Sequence, residues 1–231
     1  MMKRAQPVSL FLRAPLCVSC GAVLCLSVLL AGLVPAGVAA QGGAKLTYRK
    51  VFKASSPEFV EVVITASGTG TVDIRQVDDD PDPEPIELSP DLALRMFEMA
   101  AELNHFNGIE LDVKRRLANL GEKTFRYDDG SSAYETTFNY TINQTAAQLM
   151  QAFEGLARQE GHRQLLAHRL RFDRLGVNDA LITLEKDFRN GLLPEPARLL
   201  PVLQAVAEDS RVIEMARARA RSLLERIRSA K

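Results

Sequence analysis

The densest run of chemistry-bearing side chains is Asp78-Asp79-Asp80-Pro81-Asp82-Pro83-Glu84-Pro85. Alternating Asp78, Asp80, Asp82 and Glu84 resemble the hard-oxygen ligands of a divalent cation, and Asp78, Asp80 and Asp82 are the candidate Ca2+ ligands. The run departs from an EF-hand loop. Its sixth position is Pro83, where glycine makes the turn, and its twelfth is Ser89, where a bidentate Glu closes the site. Prolines at alternate positions forbid a helix and favour an extended, PPII-like path. Two expectations stand: a solvated, self-repelling connector, or a looser surface Ca2+ site that would serve a divalent-metal-dependent hydrolase through residues 78–84.

Other reactive types lack partners in sequence. His162 and His168 are six apart, which misses the i,i+3 and i,i+4 spacings that put two ligands on one helix face. Both are expected to be exposed. Ser131 and Ser132 follow Asp-Asp-Gly in a turn, with no G-x-S-x-G context for a nucleophile. Gly68-Thr69-Gly70 is followed by a strand, whereas a phosphate-binding loop needs a helix there. The three cysteines, Cys17, Cys20 and Cys25, all fall within the first 40 residues. Beyond them, neither disulfides nor thiol catalysis is expected.

The elements that would position these groups are legible from periodicity. In Phe59–Val77, the residues Val60, Val62, Ile64, Val72 and Ile74 share one parity, while Glu61, Thr65, Asp73 and Arg75 take the other. Period two with a glycine-containing loop predicts a hairpin. Lys123–Tyr127 and Ala133–Ile142, joined through Asp129-Gly130, predict a second one. Ser89 as N-cap, Pro90 at N1 and Asp91 in the first turn open a helix with a Leu92, Met96, Met99, Leu103 stripe. Its end falls near Asn104, where His105 would favour the helix dipole. Asn143 or Thr145 caps a second helix, which Gly161 is expected to kink or break. Leu46–Phe52 predicts an opening strand at a sheet edge, protected by Arg49 and Lys50. Residues 112–120 predict a short helix stopped by Gly121.

Lys3, Arg4 and Arg13 precede an uncharged run, Ala14–Ala40, that ends Gly37-Val38-Ala39-Ala40-Gln41. Residues 1–40 therefore predict a signal peptide cleaved after Ala40, with an uncleaved anchor as the rival. Cleavage leaves 26 basic and 29 acidic residues. Charge is uneven: residues 41–112 carry 6 bases and 14 acids, and residues 158–231 carry 15 and 10. The expected consequence is two solvated faces that attract each other within the fold. Arg217, Arg219 and Arg221 alternate with alanines instead of aromatics, so no nucleic-acid partner is expected.

Residues 177–229 read as helices only. Asn178 is placed to cap the first, Pro194-Glu195-Pro196 precedes the next, and Asp209-Ser210 opens the last. Leu199–Glu208 with Arg211–Ile227 has the form of a HEAT-like hairpin, or of a helical cap docked on the preceding domain.

Three stretches, Ile64–Gln76, Asn119–Arg126 and Ala216–Ala220, resemble uncharacterised secreted bacterial proteins built from a signal peptide, a ββα–ββα domain and a helical end. The resemblance implies a layout and no activity. The expected fold is α+β over residues 46–175, two hairpins forming one antiparallel sheet covered by two helices, followed by the helical segment 177–229. The expected function is that of an exported, periplasmic or secreted, non-enzymatic binding module whose partner is another envelope or secreted protein. Membrane contact would come only through an uncleaved signal. The alternatives are the metal-dependent hydrolase and a helical scaffold docking an acidic partner.

Overall fold

Alternation of apolar and polar residues dictates the sheet in the computed structural model, which describes residues 43–53 and 55–230. The expected export segment 1–40, with its cysteines, lies outside the described residues. Strands β1 (Lys45–Val51), β2 (Phe59–Thr65), β3 (Thr69–Arg75) and β4 (Glu84–Glu87) precede helix α1 (Pro90–Glu102). Strands β5 (Glu122–Asp128) and β6 (Ala133–Phe138) precede α2 (Gln144–Phe172). Among the described residues the six strands form one antiparallel sheet in the order β4-β3-β2-β1-β5-β6. The fold is α+β, and α3 (Val177–Arg189), α4 (Leu200–Glu208) and α5 (Glu214–Ser229) complete it.

Both expected hairpins form, but β1 is central and not at an edge. It pairs with β2 on one side and β5 on the other. Arg49 and Lys50 are tolerated because they face opposite ways: Arg49 is exposed on one face, while Lys50 leaves the other beside Glu154. The first ββα unit also gains β4, a four-residue edge strand. Pro85 fits there, since an edge position asks for no ladder donor.

Residues 109–121 form no helix. Asn139 captures their backbone instead, and Asp112 anchors the segment to Asn139. Asn139 Oδ1 accepts from Leu120 N at 2.7 Å, Asn139 Nδ2 donates to Ala118 O at 3.0 Å, and Asp112 Oδ1 accepts from Asn139 N at 2.8 Å. Such side-chain bonds compete directly with helix formation.

Helix α1 starts as expected, with Ser89 Oγ accepting from Leu92 N. Asn143 caps α2, accepting from Ala146 N at 3.0 Å. Gly161 does not break α2, which continues to Phe172. A mid-helix glycine costs about 1 kcal/mol, less than what the buried side chains on either side of it contribute, roughly 1.5–3 kcal/mol each. Asn178 lies inside α3 and does not cap it; Gly176 holds the cap position. The last helix opens at Glu214, because Asp209 Oδ1 instead accepts from Arg211 N in a local turn.

Two cores result. In the first, α1 and α2 cover the face carrying Leu46, Tyr48, Val62, Ile64, Val72 and Phe125. Phe125 is the hub of an aromatic cluster, with ring centroids 5.2 Å from both Phe106 and Phe138 and 5.7 Å from Tyr48. Leu166 of α2 joins α3, α4 and α5 in the second core, with Leu170 packed against it. The described residues form one compact unit holding both cores. Among the described residues no helix is long and apolar enough to cross a membrane.

Gly155 is required by packing. A Cβ there would stand 2.8 Å from the Pro194 ring and 3.1 Å from Leu192 O. Gly155→Ala should therefore lower stability by about 1–3 kcal/mol, reversing alanine's usual advantage in a helix. Urea denaturation of the single variant checks this.

Candidate functional site

At one end of the sheet, Lys123, Lys50, Val60 and Ile74 stand side by side across β5, β1, β2 and β3. Helix α2 crosses above them. Its residues Glu154, Ala157, Arg158, Gly161 and His162 follow at helical spacing along one face. Between helix and sheet lies a cleft of about 380 Å³, with Val60, Ile74, Pro57, Ala157 and Gly161 among its walls. That volume falls in the range of ligand sites.

The polar groups of the cleft come in two sets. Glu154 Oε1 accepts from the Tyr48 hydroxyl at 3.0 Å and from Lys50 Nζ at 2.9 Å. His162 Nε2 pairs with Asp187 Oδ2 of α3 at 2.9 Å, and Arg158 Nε stands 3.8 Å from the same oxygen. Burial, with the charge of Glu154 and the hydrogen bond to it, holds the Tyr48 phenol far above its usual pKa. Neighbouring Lys123 donates to Leu120 O, Gly121 O and Asn139 O at 2.8–3.1 Å. Burial, followed by the charge of Lys50, draws its ammonium below the usual range.

Across the Lys50–Glu154 pair lies a second hollow of about 580 Å³, walled by Phe52, Leu120, Tyr140, Ala147 and Met150 among others. The pair lines both hollows, so the trough along the sheet end is two hollows that adjoin at this pair. Ser56 stands at the cleft. Among the described residues no hydrogen bond joins it to His162. The trough is suited to holding an apolar group against Val60 and Ile74 beneath a charged rim.

Gly161 makes the cleft. A Cβ built there meets nothing nearer than Ile74 Cδ1 at 4.0 Å. Unlike Gly155, it has no neighbour that requires a glycine. The space a side chain would fill is the cleft itself.

The acidic loop is arranged differently. Asp78, Asp80 and Asp82 are all exposed. Among the described residues no three His, Cys, Asp or Glu side chains gather into a group that could hold a metal ion. Asp79, between them, accepts from Gln76 N and closes a local turn. His168 is exposed as expected, but His162 is buried, because α3 covers it with Asp187. Four arginines of the tail meet acids of the same chain: Arg219 and Arg226 on Glu185, Arg217 and Arg221 on Glu214.

Sequence reasoning missed Lys50, Glu154 and Asp187. One signal was present: Lys50 shares the inward parity of Leu46 and Tyr48, and Lys123 that of Phe125 and Tyr127. Charges at inward positions of two strands mark an unusual sheet end.

Tyr48 yields a pH prediction. In the unfolded chain its phenol ionises near pH 10, whereas in the fold it stays protonated. Its stabilising contribution is present below that pH and is lost as pH rises above it. Spectrophotometric titration should show tyrosinate appearing together with alkaline unfolding, and Tyr48→Phe should remove that step. No protein-family model and no curated protein matches the chain.

Proposed function

We propose that the protein is an exported binding module, periplasmic or secreted, that engages another envelope or secreted protein through the cleft beneath Gly161. The observation that carries this is the glycine. It weakens a 29-residue helix where no neighbour demands it, and it leaves an apolar hollow opening to a charged rim. A position that sacrifices stability to preserve space is what ligand binding would maintain. The basic start and apolar run before Gln41 support export.

Gly161→Ala should raise stability by about 0.5–1 kcal/mol. Gly161→Met should fill the hollow and leave the protein folded. With a photo-crosslinking amino acid at Ser56, the full chain in its native host should label one dominant partner. Gly161→Met should abolish that label while its melting temperature stays at or above wild type. A photo-crosslinker at Arg126, on the opposite sheet face, is the control. Equal labelling from Arg126, or labelling that survives Gly161→Met, would overturn the proposal.

A further inference from the structure

The ligand's chemistry can be taken further, and this step rests on the binding reading above. We infer that the cleft receives the free carboxyl terminus of the partner polypeptide. Its last side chain, an apolar one, fills the hollow under Gly161. The terminal carboxylate meets Arg158 and Lys50, and the preceding residues cross the Lys50–Glu154 pair into the second hollow.

Free hydrogen-bonding capacity at the rim points to an anion. Glu154 Oε1 is already met by Tyr48 and Lys50, and Asp187 Oδ2 by His162, while Arg158 Nε stands 3.8 Å from that oxygen, beyond hydrogen-bond reach. Asp187 is also sunk to 17% side-chain exposure. Arg158 is 38% exposed, and among the described residues its guanidinium makes no hydrogen bond. A guanidinium fork matches a carboxylate with two parallel bonds. Lys50 uses one of its three protons, on Glu154.

The trough argues for a chain over a free amphiphile. Ile74 on β3 and Lys123 on β5 are three strand spacings apart, about 14 Å. An extended chain advances roughly 3.3 Å per residue, so four or five residues span the trough. A single tail would occupy the Gly161 hollow and leave the second one unfilled.

The test uses the chain from Gln41 onward, labelled with 15N, and three probes: N-acetyl-leucyl-alanyl-valyl-seryl-leucine, its C-terminal amide, and octanoate. The free acid should give saturable shifts at the Val60, Ala157 and Gly161 amides. The amide should bind at least tenfold more weakly. Arg158→Gln should weaken the acid by a similar factor and leave the amide unchanged. Equal binding of acid and amide, or no effect of Arg158→Gln, would overturn carboxylate recognition while leaving the hollow as a binding site. Octanoate binding more tightly than the peptide would make the ligand a free amphiphile and overturn the chain-terminus assignment. No shift at Gly161 from any probe at about 10 mM would sink the inference alone, because the Ser56 crosslink judges the binding site separately.

Discussion

Everything in this fold depends on burying both halves of one helix. The 29 residues of α2 place Ala146, Leu149, Phe153 and Leu156 against the sheet and Leu166 against α3, α4 and α5. Neither half could remain helical alone on propensity, since isolated helices of this length are marginal in water. Tertiary burial carries the helix through a glycine without a break. The stack of Phe153 on Tyr48, with ring centroids 5.4 Å apart, fixes how the first half lies on β1.

That placement determines the fate of the charges at the sheet end. Lys50 and Lys123 point inward from neighbouring strands, where two ammonium groups would repel in a medium of low polarity. The fold resolves this in two ways. Glu154 descends from α2 to neutralise Lys50, and three carbonyls enclose Lys123. Two of them, Leu120 O and Gly121 O, are available because residues 109–121 follow the side chain of Asn139 instead of coiling into a helix. A loop that failed to become a helix and a lysine that could not reach water stabilise each other.

Parity and capping were readable from local signals. The hairpin faces, the Ser89 cap and the Asn143 cap depend on neighbours a few residues away, and sequence displays those directly. Strand order does not work that way. Arg49 and Lys50 suggested an edge because a run of residues does not tell which face will be covered. Residues 112–120 have helical spacing, and only Asn139, some twenty residues on, diverts them. His162 looked solvent-facing because Asp187 approaches it from another helix. Gly161 was visible as an anomaly, but its meaning as a hollow required Ile74 beneath it.

Gly161 lies between Ala157, the last α2 residue in the sheet core, and Leu166, the first in the helical core. The cleft walls come from β1, β2, β3, α2 and α3. The cleft therefore lies where the sheet meets α3, at the point where the shared helix passes from one core to the other. By thermodynamic linkage an occupant's binding energy would be felt by both cores together. Occupancy would thus act as a clasp, coupling the two cores more tightly into a single cooperative unfolding unit.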